Sequence, residues 1–211
     1  MKHRILAVAL FAAIPAAAFA QASPPVTPGQ ITGAPVATAD RVPVAIDTSA
    51  GRIVIALDRL HAPITTANFL RYVDNHRFDG ETFYRSMHTG GGGLIQAGVR
   101  SDSRKVYPPI AHESTSKTGL SNVTGAVSMA RLDPGSATSD FFIMLSDMKG
   151  LDAGAPGGDA DGFAVFGQVV EGMDVVKKIF DSPTDPEKGE GVMKGQFLEP
   201  PIKIIKASRL K

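Results

Sequence analysis

The sequence contains no cysteine and no tryptophan among its 211 residues, and it has little net charge. Without cysteine, neither a disulfide framework nor thiol chemistry is available to the protein. Its 22 Lys and Arg residues nearly balance its 21 Asp and Glu residues, and no basic stripe is present. A near-neutral protein of this kind gives no reason to expect nucleic acid as a partner.

Signatures of several enzyme classes are missing as well. The sequence has no Gly-x-Ser-x-Gly stretch, which argues against an α/β-hydrolase. His112-Glu113 lacks the second histidine of a zinc-binding helix, and the other histidines have no ligand spacing. Asp159-Ala-Asp161-Gly resembles part of a calcium loop without its terminal glutamate. We therefore predict no metal site and no cofactor.

The first twenty residues have the three parts of a secretory signal peptide. Residues 2–4 are Lys-His-Arg, residues 5–14 are apolar, and Ala18-Phe19-Ala20 offers a small-x-small cleavage site. The apolar run is shorter than the ~20 residues of a membrane-spanning helix, and Pro15 interrupts it. We predict that residues 1–20 are a cleaved signal peptide, that the protein is periplasmic, and that it has no membrane span.

The rest of the chain divides into a linker and one domain. Residues 21–40 contain four prolines among alanine, threonine, glycine and serine, a composition that buries too little to pack and predicts a flexible linker. Residues 41–211 have the length of a single domain. Helices are predicted from Pro63 and over 173–180, and 181–200 is predicted as loop. The predicted strands lie at 42–47, 52–58, 82–86, 94–98, 126–131, 140–146, 163–170 and 201–208.

Many short strands with only two helices indicate a mainly antiparallel barrel or sandwich. At its centre we place the strands 82–86 and 94–98. Strand alternation puts Phe83 and Arg85 on one face and Tyr84 on the other, and the four glycines at 90–93 are predicted to hold no regular element. The two strands bring Arg85 beside Gln96. A cation with five fixed donors and an uncharged amide can hold a peptide without attacking it.

These stretches resemble the cyclophilin-type peptidyl-prolyl isomerases. That family has a Phe-His-Arg strand followed by an aromatic-Met-x-Gln-Gly-Gly strand, and Phe83-Tyr-Arg85 and residues 93–98 are similar to them. Further similar stretches are 125–131, 136–143, 151–152 and 162–176. The resemblance covers roughly residues 42–209 and, with the signal peptide, identifies the chain as a member of the family's bacterial exported branch.

The resemblance implies a closed eight-stranded antiparallel β-barrel capped by two α-helices. Side chains would fill its interior, so binding must occur on the outside. Arg85 and Gln96 are implied as catalytic, with Arg85 donating to the prolyl nitrogen. The substrate-binding residues implied by position are Leu94, Met129, Ala130, Arg131, Asp140, Phe142, Leu151 and Phe163. Ala130-Arg131 should hold the peptide backbone. At least three of five larger apolar side chains should line a proline-ring pocket, these five being Leu94, Met129, Phe142, Leu151 and Phe163.

The sequence also departs from the family pattern at four positions. These are Tyr84 for histidine, Gly93 for an aromatic residue, Asp140 for glutamine, and Gly150 for tryptophan or another aromatic residue. We expect Asp140 to pair with Arg85 or Arg131, and we expect the two glycines to remove part of the pocket wall.

The predicted function is that of a monomeric rotamase that assists protein folding by turning X–Pro bonds in unfolded or flexible exported polypeptides. The alternative is a non-catalytic or weakly active member of the same fold, a peptide-binding module or chaperone. Arg85 and Gln96 favour the enzyme, whereas the departures at Gly93, Asp140 and Gly150 favour the binding module.

Overall fold

The computed structural model describes residues 40–211. Its strands are β1 (Arg41–Thr48), β2 (Gly51–Asp58), β3 (Thr82–Thr89), β4 (Gly92–Gly98), β5 (Ala126–Met129), β6 (Phe141–Met144), β7 (Val165–Glu171), β8 (Thr184–Asp185) and β9 (Phe197–Arg209). Its α-helices are α1 (Pro63–Asp74), α2 (Thr115–Thr118) and α3 (Met173–Phe180). The predicted signal peptide and the predicted linker as far as residue 39 lie outside the described residues.

Eight of these strands close into an antiparallel barrel. They follow the order β1-β2-β7-β5-β6-β4-β3-β9, and β9 pairs back with β1. The first part of β9 pairs with β3 and its last part with β1, while the two-residue β8 adds to the beginning of β9. The prediction of a closed, eight-stranded, mainly β fold is confirmed. Strand β9 begins four residues earlier than predicted, inside the stretch expected to be loop.

Aromatic side chains fill the barrel interior. The ring of Phe69, from α1, lies 5.0, 5.1 and 5.2 Å from the rings of Phe78, Phe141 and Phe166. All four are almost completely buried, and burying a side chain of this size contributes about 1.5–3 kcal/mol. Because the interior is full, ligands can bind only to the outer surface of the barrel.

The two longer helices cover the barrel as expected, and each has a defined start. Pro63 occupies the first turn of α1, and the Glu113 carboxylate accepts hydrogen bonds from the backbone N–H groups of Ile64 (3.0 Å) and Thr65 (2.7 Å). That carboxylate satisfies donors which a helix start leaves unpaired. Gly172 precedes α3 at φ 84°, and a Cβ there would lie 2.3 Å from the Arg52 carbonyl oxygen. The one-turn α2 was not predicted. No helix within residues 40–211 is long and apolar enough to cross a membrane.

A β-bulge in β3 sets the direction of the side chains that follow it. Phe83 is opposite Ala97 and Arg85 is opposite Gln96, so Tyr84 has no partner of its own in β4. Phe83 points into the core, whereas Arg85 lies on the outer surface. The prediction that Phe83 and Arg85 share a face is therefore wrong, because the extra residue shifts the alternation by one.

The glycine stretch between β3 and β4 is partly regular structure, contrary to the prediction. Gly92 and Gly93 are the first residues of β4, with φ values of 148° and 153° that favour glycine. Only Gly90-Gly91 form the turn. A Cβ on Gly93 would lie 1.9 Å from the Met87 carbonyl oxygen and 2.8 Å from Phe180. This close approach of the backbone explains why the position holds glycine.

Candidate active site

A cleft of about 220 Å³ lies on the outer face of the barrel, against β3, β4 and β6. Its walls are Arg85, Met87, Leu94, Gln96, Ala130, Arg131, Phe142, Leu151, Phe163 and Met193. Eight of these ten residues were proposed from the sequence. The structure therefore brings most of the predicted site together, although the predicted residues are up to 78 positions apart in the chain (163 minus 85).

One side of the cleft is apolar. Leu94 and Phe142 project outward from neighbouring strands, and the Phe142 ring meets the Phe163 ring edge-to-face at 5.5 Å. The Phe163 N–H donates to the Leu151 carbonyl at 2.9 Å, which ties the two loop residues to each other. Four of the five predicted apolar side chains thus surround a space suited to a small apolar ring such as that of proline.

Arg85 stands at the polar side of this space. Its Nε donates to the side-chain oxygen of Gln196 and its Nη1 to the side-chain oxygen of Gln96, both at 2.8 Å. Of the five N–H donors of a guanidinium, three remain (five minus two) without a protein partner within residues 40–211. Burial lowers the pKa of Arg85, yet an arginine remains protonated in proteins. A positive charge with unused donors therefore faces the apolar wall.

Gln96 is buried with its oxygen committed to Arg85. Its Nε2 has no acceptor within residues 40–211, and the residue lines the cleft, so this amide group is available to donate to a bound peptide. Neither Gln96 nor Arg85 is a nucleophile. The described residues also bring together no group of three or more His, Asp or Glu side chains that could hold a metal. The arrangement can bind and polarise an amide.

Arg131 contributes its main chain to the cleft more than its charge. Its side chain is only 2% exposed and is held by Asp159 at 2.9 Å, by the Gly162 carbonyl and by the Leu132 carbonyl at 2.8 Å. The guanidinium also lies 5.0 Å from the centre of the Phe163 ring. Since the residue as a whole is partly exposed, the exposed part is its backbone. This placement suits the backbone contact expected at Ala130-Arg131.

Two predicted substrate-binding residues are not in the cleft. Met129 points into the barrel core and is 1% exposed, because strand alternation turns it inward beside Ala130. Asp140 accepts a hydrogen bond from the Tyr84 hydroxyl at 2.6 Å and forms no ion pair with Arg85 or Arg131 within residues 40–211. The expected pairing of Asp140 is thus wrong, because the bulged Tyr84 occupies its carboxylate.

The two glycines expected to open the pocket wall behave differently. A side chain on Gly93 would point inward against Met87 and Phe180, so that position is not a wall of the cleft. At Gly150, a Cβ would meet nothing within 4 Å. Gly150 lines a second cleft of about 400 Å³ that shares Leu151 with the first. Of these two glycines, Gly150 alone leaves open space beside the site.

Three site residues were missed by the sequence reasoning: Met87, Met193 and Gln196. Met87 lies two residues after Arg85 in the regular part of β3, so strand alternation puts the two on the same surface and could have indicated it. Met193 and Gln196 lie in the stretch 181–200, whose prolines and glycines show no periodicity that points to a site. Only the fold brings this stretch next to β3.

The comparison with known protein families decides the identity. Residues 43–209 match the model of the cyclophilin-type peptidyl-prolyl cis-trans isomerases, described as "Cyclophilin type peptidyl-prolyl cis-trans isomerase/CLD". The chain belongs to this family. The match covers nearly all of the described residues, including every residue of the cleft.

Individual relatives agree with the family match. The chain is 40% identical over 147 residues to peptidyl-prolyl cis-trans isomerase A of Dickeya dadantii, which covers 67% of this chain and 73% of the relative. It is 38% identical over 166 residues to the peptidyl-prolyl cis-trans isomerase of Acinetobacter baylyi, covering 77% and 82%. The Streptomyces antibioticus isomerase cyp18 is 39% identical over 150 residues, covering 69% and 87%.

Solved structures show the same barrel. A Cryptosporidium parvum cyclophilin-type isomerase superimposes with a TM-score of 0.65 at 20% identity, covering 81% of this chain and 98% of the other. A second structure of that protein, in the presence of the dipeptide Ala-Pro, gives a TM-score of 0.64 at 20% identity, covering 80% and 99%.

Within this cyclophilin, two departures from the family pattern form one unit. Tyr84 and Asp140 replace a histidine and a glutamine, and they are hydrogen bonded to each other. Burial, then the charge of Asp140 and the hydrogen bond to it, raise the pKa of Tyr84. The Arg100 guanidinium lies 4.3 Å above the Tyr84 ring. Tyr84 and Asp140 thus replace two family residues beside the site and bind each other. Arg85 forms no ion pair with a carboxylate within residues 40–211.

Proposed function

We propose that this protein isomerises X–Pro peptide bonds in unfolded or flexible exported polypeptides, acting in the periplasm as a monomer. The observation that carries the proposal is the position of Arg85. The side chain is held at the edge of an apolar, ring-sized cleft with N–H donors left over, and the described residues that line this cleft include no nucleophile.

The chemistry explains why an arginine is suited to this position. Rotation about the peptide bond costs ~18–20 kcal/mol, since the nitrogen shares its lone pair with the carbonyl. In the twisted state the lone pair is localised on the prolyl nitrogen and accepts a hydrogen bond from Arg85. That bond exists in the transition state and not in the planar ground state, which is the condition for catalysis. No proton is transferred in this step.

The other residues of the cleft bind and orient the substrate. Leu94, Phe142, Leu151 and Phe163 enclose the proline ring, and the Gln96 amide donates to the substrate carbonyl. The backbone of Ala130-Arg131 holds the peptide in an extended form. The Ala-Pro dipeptide named for the Cryptosporidium structure is the kind of ligand that this arrangement fits.

Export is supported by the amino-terminal sequence. Residues 1–20 combine a positive start, an apolar run and a small-x-small cleavage site. Fractionation followed by mass spectrometry should give a periplasmic protein that begins at or near Gln21. An exported form that retains Met1 would contradict this.

A second candidate function is favoured by Gly150, which leaves open space where the family has an aromatic residue. An open wall lowers peptide affinity and suits a module that holds proline segments briefly without turning them.

One experiment separates the two candidates. The purified protein without residues 1–20 is tested by exchange NMR on a short proline peptide, next to a titration of the same peptide. An isomerase increases the cis–trans exchange rate at substoichiometric concentration. Peptide binding without any increase in the exchange rate would favour the binding module.

A further inference from the structure

Gln196 reaches the catalytic arginine from the far end of the chain. Its side-chain oxygen accepts the Nε–H of Arg85 at 2.8 Å, although the two residues are 111 positions apart. It precedes β9, in a segment that also contributes Met193 to the cleft wall. We define this segment, residues 191–197, as the closing segment.

Gln196 is itself held at three points. Its carbonyl oxygen accepts the Ser86 N–H at 2.9 Å, which ties its main chain to β3 directly beside Arg85. Its own N–H donates to the Met193 carbonyl at 3.2 Å, and its Nε2 donates to the Val192 carbonyl at 2.6 Å. Because the Nε2 is engaged with Val192, the side-chain oxygen must face Arg85. The acceptor is therefore preorganised.

The pair of glutamines fixes the guanidinium in two places. Gln196 holds Nε and Gln96 holds Nη1, and two hydrogen bonds to one planar group determine both its position and its rotation. Both acceptors are uncharged amides. They orient the cation without neutralising it, as a carboxylate would do. Asp140, the acidic residue expected to pair with Arg85 or Arg131, is hydrogen bonded to Tyr84 instead.

We propose that Gln196 is a positioning residue for the isomerase reaction. It sets the plane of the Arg85 guanidinium so that the remaining N–H groups point at the prolyl nitrogen of the twisted bond, and it makes the closing segment part of the active site. The inference rests on the proposed role of Arg85. It adds that the orientation of this cation, and not only its presence, limits the rate.

The test uses the mature protein and the substitution Gln196→Met, which keeps the length of the side chain and removes the acceptor. We expect kcat to fall roughly tenfold or more, as happens when a catalytic group loses its alignment. The peptide KM should stay within about twofold, since the apolar wall and Gln96 are intact. In NMR spectra, the Arg85 Nε–H signal should move and exchange faster with water.

Two further variants complete the design. Gln168→Met is the matched control, because Gln168 is also a partly exposed glutamine that donates to a backbone carbonyl, that of Thr124 at 2.9 Å, away from the cleft. It should leave kcat and the Arg85 signal unchanged. Gln196→Asn shortens the side chain by one methylene, so its oxygen no longer reaches Arg85, and it should repeat the kcat loss. If only one of the two Gln196 variants folds, that variant is sufficient to test the role of Gln196.

Several outcomes would overturn the inference. They are an unchanged kcat in a folded Gln196 variant, an increase in KM alone, and a kcat loss without any change in the Arg85 Nε–H signal. In an Arg85→Ala background, Gln196→Met should have no further effect, since coupled residues are not additive. A full additional loss in that background would show that Gln196 acts elsewhere. If Arg85→Ala itself leaves the rate unchanged, the proposed function of Arg85 fails instead, and the NMR signal still reports whether Gln196 orients the side chain.

Discussion

Replacing Arg85 by alanine removes a charged donor that faces the apolar wall of the cleft. The hydrogen bond lost in the transition state involves a charged group and is worth about 1.5–3 kcal/mol. At 1.36 kcal/mol for each factor of ten, kcat/KM should fall roughly tenfold to more than a hundredfold. The peptide titration should change much less, because the planar ground state does not form this bond.

The structure changes the expectation for stability. If the side chain faced an open groove without partners, its removal would hardly affect the fold. In the structure, Arg85 is half-buried and satisfies the oxygens of Gln96 and Gln196. A buried acceptor without a donor costs about 1–3 kcal/mol. Burial of the guanidinium itself is unfavourable, as its lowered pKa indicates, so the net loss in the free energy of unfolding should be below about 2 kcal/mol.

Arg85→Lys separates charge from geometry. Lysine keeps the positive charge but lacks the planar fork that holds two acceptors while donating to a third. We expect it to lose nearly as much activity as alanine. The assay is the isomerisation of a proline peptide for all three proteins under one set of conditions, with urea unfolding to verify the fold. A wild-type rate in folded Arg85→Ala would refute the mechanism, and a wild-type rate in Arg85→Lys would refute the importance of the fork.

Three further predictions test other parts of the structure. Gly150→Trp should strengthen the binding of a proline peptide in calorimetry by roughly fivefold, because even a fraction of the 150–250 Å² of an aromatic side chain is worth ~1 kcal/mol at about 25 cal/mol per Å². Tight binding by the wild type would show that the wall is already complete. Tyr84→Phe should lower the free energy of unfolding in urea by about 1–2 kcal/mol, since it removes the hydrogen bond to Asp140 Oδ2 and leaves the Ser139 hydroxyl as the donor to that carboxylate, with little change in kcat/KM. Burial alone would raise the pKa of Glu81, but hydrogen bonds from Ser101 and Arg100 outweigh it and leave that pKa below its ordinary value. The contribution of Glu81 to stability is therefore present above the pKa of an unfolded glutamate, about 4.3. It is lost as pH falls through the lower pKa of the folded protein. Glu81→Gln should therefore lower the free energy of unfolding by ~1–3 kcal/mol near pH 7 and by little near pH 2.

Local patterns predicted most of the strands and the two longer helices, whereas the closed barrel and most of the cleft residues were implied by the resemblance to the cyclophilin family. The alternating apolar residues of β2, the proline at the start of α1 and the apolar run of β6 are each visible within a few positions of the chain. The order of motifs around Arg85, Gln96 and Phe142 added the rest of the site. These features need no knowledge of distant contacts.

The wrong predictions concern positions where one residue changes the orientation or the contacts of its neighbours. The bulge at Tyr84 reverses the facing of Arg85 relative to Phe83, and no local pattern distinguishes a bulged strand from a regular one. The same bulge sends Tyr84 to Asp140 and so removes the expected ion pair. Gln196 could not be predicted either, since its role depends on contact with a strand 111 positions earlier.

The seam between β1 and β9 has a consequence for how the barrel is made. Val44 pairs with Arg209, 165 positions later in the chain (209 minus 44). During synthesis from the amino terminus, β1 can pair with β2 early, but its other edge stays open until residues 204–209 have left the ribosome. An open edge is a template for pairing with other chains. Loss of residues 197–211 should therefore expose edges on both β1 and β3, and the shortened chain should aggregate during its synthesis.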